Sequence, residues 1–195
     1  MFEEALNELS LLSIYNMAQG LQNNEKIEMD LNVYEALLSH VSDCLLNVNN
    51  STIIALSHMV YGWMPTMLKK TNTNIDAANL ILRIQNSEIS EDLVNSVKSI
   101  TNNSVVGASK LLHFINPNSY AIFDSRVYRS IANGLTTDAN NCNKYIAYNN
   151  KLHNLIETNE NNFVEQIRRI LIDKNYIRNN YSNYRAIEIC LYEND

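Results

Sequence analysis

The chain has 195 residues, a net charge of −6, 46% hydrophobic residues, 4 Gly and 2 Pro, which is enough to bury a full core as one domain or two closely packed lobes. No segment reaches the roughly 18 uncharged apolar residues of a membrane span, and the start Met1-Phe2-Glu3-Glu4 is acidic where a signal peptide is basic. Cys44, Cys142 and Cys190 are too few and too far apart for a disulfide framework or a four-cysteine cluster, and His40, His58, His113 and His153 show no metal-ligand spacing, so an intracellular protein without metal or cofactor is expected. From the N-terminus, Phe2, Ala5, Leu6, Leu9, Leu12 and Tyr15 recur at helical spacing and predict a helix over 2–19 that Gly20 stops. Asp30 is placed to cap a second helix through Val33, Leu37, Leu38, Val41, Leu45 and Leu46, and Ser51 to open a third from Thr52 to Val60. Further helices are expected over roughly 75–85, 90–101, 104–115, 125–133, 138–157, 162–177 and 182–192, and no run alternates with the period of a strand. About one residue in six is Asn, and pairs such as Asn102-Asn103 and Asn161-Asn162 mark turns. The expected fold is all-α, a compact multi-helix domain.

After the third helix comes Tyr61-Gly62-Trp63-Met64-Pro65-Thr66-Met67-Leu68-Lys69-Lys70, where Gly62 and Pro65 predict a break. Large apolar residues at a break serve as core plugs. They also serve as walls of a pocket, and an enzyme that works on a base must hold it between apolar or aromatic faces once it is out of the stack. Tyr61 and Trp63, with His113 and Phe114 further on, are the candidates for such a wall.

Residues 107–129 are the most informative stretch. Val105, Ala108, Leu111, Leu112 and Ile115 share one helical face, and Lys110 lies opposite, beside Val106, His113 and Phe114. An amine must be neutral to attack carbon, and with an unperturbed pKa only on the order of one in a few thousand is neutral at pH 7. Apolar surroundings lower that pKa, which is how a lysine becomes a Schiff-base nucleophile. The alternative is a surface lysine whose stem covers Phe114. Asp124 precedes a helix that Gly134 is placed to end, so it reads as an N-cap. A cap carboxylate is also a fixed negative charge suited to an oxocarbenium-like sugar.

This segment resembles the catalytic segment of the helix-hairpin-helix DNA glycosylases. In that family a Gly-rich hairpin opens a helix carrying a lysine nucleophile, and an aspartate starts the next helix in a pattern of the type Asp-[Thr/Val]-His-Val-x-Arg. Asp124, Val127 and Arg129 fall on that pattern and Lys110 stands in the nucleophile's place. The hairpin here is Val105-Val106-Gly107-Ala108-Ser109-Lys110, with one glycine, and Arg126 stands where the family has histidine. The resemblance implies a DNA partner, a modified or damaged base flipped out of the helix, attack by Lys110 at C1′ with help from Asp124, and strand cleavage by β-elimination as a following step. It further implies that Gly107 and Ser109 offer backbone amides to a phosphate and that Arg126 and Arg129 meet DNA.

Charge divides unevenly. Residues 1–103 hold 5 basic and 12 acidic side chains, and residues 104–195 hold 10 and 9. The expectation is an acidic lobe over 1–103, a lobe over 104–195 that carries Lys110 and Asp124, and a cleft between them, with any DNA met by the second half. The acidic total and the single-glycine hairpin equally suit a non-catalytic helical module, a protein-binding or toxin–antitoxin and phage-defence type regulator, in which Lys110 is a surface residue and Asp124 only a cap.

Overall fold

The computed structural model describes residues 2–24, 30–64, 66–69, 72, 74–134 and 138–195, together with the backbone of 28–29. Among these the regular elements are helices: α1 (Phe2–Glu8), α2 (Leu11–Gly20), α3 (Glu28–Cys44), α4 (Asn50–Gly62), α5 (Ala77–Gln85), α6 (Glu91–Ser99), α7 (Val105–Ile115), α8 (Ser125–Ala132), α9 (Cys142–Thr158), α10 (Phe163–Asp173) and α11 (Asn183–Glu193), with a 3₁₀ turn at Glu160–Asn162. The molecule is an all-α, multi-helix domain, and no described helix is long and apolar enough to cross a membrane. Pro65, Lys26 and Lys70 lie outside the described residues.

Capping chemistry accounts for most departures from the periodicity. The apolar stripe over 2–19 is two helices, because Ser10 and Ser13 form a reciprocal capping box, each hydroxyl accepting the other's amide, that restarts the chain as α2. Asp30 lies within α3, two residues after its start at Glu28. Helix α4 starts before Ser51, on an Asn49–Thr52 box of the same kind. At the other ends asparagine does the work of glycine. Asn102, Asn103, Asn133, Asn159, Asn161, Asn162 and Asn175 have φ between 38° and 63°, and among the described residues no glycine has positive φ. Asn133, not Gly134, therefore closes α8, donating its N–H to the Arg129 carbonyl. Asn reaches the left-handed region most readily after Gly, so in a chain with 4 glycines α8 and α9 end on the left-handed caps Asn133 and Asn159.

Helix α7 is the centre. It packs against α3, α4, α5, α6 and α9, and only Val106 and Lys110 along it are half-buried. The face expected to be open beside Lys110 is thus covered at His113 and Phe114. The packing does not follow the division at residue 103: α1 lies on α8 and α9, and α2 on α10 and α11. Gly107 is set by contact, since a Cβ there would stand 2.5 Å from Tyr61 Oη and 3.1 Å from Thr101 Cβ. Tyr61 reaches past it to donate to the Thr101 carbonyl at 2.8 Å.

The strand-like run between α7 and α8 is pinned along its length. The Asn116 amide donates to the Ile84 carbonyl (3.1 Å), Asn149 accepts from Ala121 N (2.8 Å) and donates to the Ser119 carbonyl (2.9 Å), and Ser109 Oγ accepts from Phe123 N (3.0 Å). His113 Nδ1 donates to the Tyr120 carbonyl at 2.7 Å. Since each buried amide or carbonyl left unpaired costs about 1–3 kcal/mol, these side chains fix where Asp124 emerges relative to Lys110.

Candidate active site

Lys110 and Asp124 line one cavity of about 300 Å³, at the small end of ligand pockets. Asp124 is held as the N-cap of α8: its Oδ1 accepts the amides of Arg126 (3.0 Å) and Val127 (3.1 Å), and its Oδ2 makes no hydrogen bond with a described residue. Lys110 projects from the middle of α7 with its Nζ 5.3 Å from the centre of the Trp63 ring. Among the described residues the ammonium has neither a hydrogen bond nor a carboxylate within 4.0 Å, whereas Lys144, Lys151 and Lys174 all have partners. Burial lowers the Lys110 pKa, the nearby Arg185 charge adds to that, and the charges of Asp124 and Glu188 oppose it. The arrangement holds a lysine without a hydrogen-bond or carboxylate partner among the described residues, its pKa lowered by burial, in the same cavity as a carboxylate with a free oxygen.

The walls are aromatic. Trp63 packs edge-on against Phe114 (5.3 Å) and tilted against Tyr34 (6.3 Å), and Tyr34 leans on Tyr181 (4.6 Å). Tyr176, Tyr192, Leu31, Ile122 and Ile189 add to the lining, and Asp30 and Glu193 bring two further carboxylates to it. From α11, Arg185 and Glu188 close it with an ion pair three residues apart. Arg185 lies 5.1 Å from the Tyr34 ring and 5.6 Å from the Trp63 ring. Glu188 is 1% exposed, and burial outweighs the neighbouring guanidinium to push its carboxyl up to about 7.

The sequence-expected residues divide sharply. Lys110, Asp124 and Trp63 meet in the cavity. Phe114 backs Trp63 from the core, and Tyr61 is buried on the Thr101 carbonyl, so neither forms the lining. His113 is wholly buried; its Nε2 accepts from the Tyr34 hydroxyl at 2.6 Å, and burial drives its pKa down to about 3, so it is neutral and orients Tyr34. Gly107 and Ser109 do not offer amides to a phosphate. The Gly107 amide is taken by the N-cap Ser104, the Val105 amide by Asn140, and Ser109 is buried against Phe123. Arg126 lies 4.0 Å over the Tyr192 ring with Glu193 and Asp195 beside it, and Arg129 forms a two-pronged pair with Asp195. Arg126 thus meets the cavity's edge through Tyr192, and both arginines are already neutralised.

Tyr34, Tyr181, Arg185 and Glu188 are the residues that sequence periodicity passed over. A signal exists for the last two: Ala186-Ile187-Glu188-Ile189-Cys190-Leu191 is an apolar run with one carboxylate and an arginine one turn before it, the pattern of a buried ion pair on a core helix. Tyr34 and Tyr181 carry none, because they are brought to the cavity by long-range packing of α3 and the loop before α11. A larger recess of about 990 Å³ lies where α3 meets the chain after α10, but its lining is mainly asparagine, with Glu35 and Arg178 paired to each other and no free nucleophile. Among the described residues no cluster of His, Cys, Asp or Glu could hold a metal ion. Comparison of the chain with protein-family models, with curated proteins and with solved structures finds no match.

Proposed function

We propose that the protein is a DNA glycosylase that excises a modified or damaged base from a flipped-out nucleotide. The observation that carries this reading is the Lys110 amine, without a fixed partner, half-buried against Trp63 in a cavity it shares with the Asp124 carboxylate. The neutral amine attacks C1′, the bond from C1′ to the base nitrogen breaks, and its electron pair leaves with the base, which takes up a proton. Asp124 receives the proton that the amine loses and stabilises the positive charge on the sugar as that bond lengthens. Opening of the sugar ring then gives an imine between Lys110 and C1′, from which β-elimination can cleave the strand. Trp63 supplies a face on which a flipped base stacks.

The imine is testable because borohydride reduces it to a stable amine. Incubation with oligonucleotides carrying a panel of modified bases, single- and double-stranded, is expected to give a covalent protein–DNA adduct, and Lys110→Gln to abolish it with the fold retained. An adduct of undiminished yield from Lys110→Gln contradicts the assignment.

A second reading, a non-catalytic helical module that binds protein, is favoured by a different observation: the basic side chains of the second half serve the fold. Lys174 caps the end of α2 through the Ala18, Gln19 and Leu21 carbonyls, Arg168 holds the Asn179 and Tyr181 carbonyls, and Arg178 pairs with Glu35. Absence of salt-dependent affinity for any DNA selects that reading.

A further inference from the structure

The Arg185–Glu188 pair uses only a fraction of its hydrogen-bonding capacity on itself. Arg185 Nη1 donates to Glu188 Oε2, and there the contact ends. Glu188 Oε1 and Arg185 Nη2 make no hydrogen bond with any described residue, and Arg185 Nε is buried without a partner. Such a pair is expensive to bury and is commonly no more stabilising than apolar side chains of the same size. Unmet donors and an unmet acceptor in a cavity wall therefore ask for a ligand. The cavity wall says which kind: Trp63 is a half-buried aromatic ring beside Arg185 in the lining, suited to a planar ring.

We propose that Arg185 and Glu188 together read the edge of a planar ring that carries a carbonyl beside an N–H, a lactam, as in the oxo-bases of nucleic acids. A guanidinium only donates, and Glu188, ionised once the pH exceeds its carboxyl's value of about 7, then only accepts. The ring must therefore present an acceptor to Arg185 and a donor to Glu188 Oε1, side by side. A carbonyl oxygen has two lone pairs for the side of Arg185 where two donors lack partners. The ring nitrogen of an amino-base has one, and leaves a charged donor unmet. A ring whose edge nitrogen is methylated leaves the Glu188 carboxylate buried without a partner. Each such loss of a hydrogen bond to a charged group weakens binding by about tenfold or more. The proposal rests on the glycosylase reading only in setting that ring within DNA; the edge recognition needs neither DNA nor chemistry.

Trp63 is the one tryptophan of the sequence and stands in the cavity wall, so its fluorescence reports occupancy in the full chain. The probes are hypoxanthine and uracil, their edge-methylated counterparts 1-methylhypoxanthine and 3-methyluracil, and adenine. Hypoxanthine or uracil is expected to change the emission saturably, with the methylated counterpart and adenine at least about tenfold weaker. Glu188→Gln, whose side chain both donates and accepts, should lose the discrimination. Equal affinity for parent and methylated base, or no saturable response to any lactam base, overturns the proposal; both are read on the unaltered protein, so a misfolded variant cannot mask them. Borohydride trapping without edge discrimination retains the glycosylase and removes the reader. Discrimination without trapping does the reverse.

Discussion

Asp124 divides its two oxygens between two tasks. Oδ1 is spent on the first amides of α8, and Oδ2 is left for the cavity. Because Asn caps a helix about as well as Asp, Asp124→Asn is expected to cost less than about 1 kcal/mol of stability. Removing the charge from beside a developing sugar cation should nevertheless slow base release by a factor on the order of a hundred or more. Denaturant titration and single-turnover release, measured on the same preparation, separate the two effects. An Asn variant of full activity reduces Asp124 to a structural cap. At this scale the sequence was legible where one residue's own chemistry decided its place: Lys110, Asp124 and Trp63 reach the cavity. It was illegible where burial was decided elsewhere. His113 sits one turn from Lys110 and read as its cavity neighbour, yet Tyr34, far away in sequence, covers it.

At the scale of elements the site is held by the fit of α4 against α7. Tyr61 lies where any side chain larger than hydrogen at Gly107 would stand, and its hydroxyl is anchored on the turn before α7. Gly107→Ala should therefore destabilise by about 1–3 kcal/mol, the cost of overpacking a closed contact. Adding Tyr61→Phe should recover part of that loss, because the nearest clash is with the hydroxyl oxygen. A neutral Gly107→Ala in thermal unfolding would mean that α4 and α7 can separate freely. The glycine that looked like half of a phosphate-binding hairpin is a packing glycine, and a single sequence cannot tell the two apart, since both need the absence of a Cβ. Helix positions from 75 onward followed from the apolar period. Most of their ends followed too; the exceptions are the start of α9, at Cys142 behind the Asn141 cap instead of near 138, and the end of α10, at Asp173 instead of near 177.

For the whole molecule, net charge and charge placement pull apart. The second half carries 10 of the 15 basic side chains, but the fold uses many of them, and Arg126 and Arg129 on α8 are met by Glu193 and Asp195. A phosphate at those arginines must displace Asp195. Asp195→Asn is accordingly expected to raise DNA affinity and to steepen the fall of log affinity with log salt by up to about one unit. Arg129→Ala should flatten that slope by about the same amount, and an unchanged slope in both variants would place DNA on some other face. The expected split into an acidic and a neutral lobe was not legible as architecture, because charge counts do not see that α1 and α2 fold back onto α8 to α11.

The central claim is that Lys110 is the atom's-reach nucleophile of this cavity, and the most direct measurement is the location of the reduced adduct. After borohydride reduction on a DNA substrate that traps, digestion and peptide mass spectrometry should find the sugar remnant on the Nζ of Lys110. A remnant on any other amine of the protein contradicts the account.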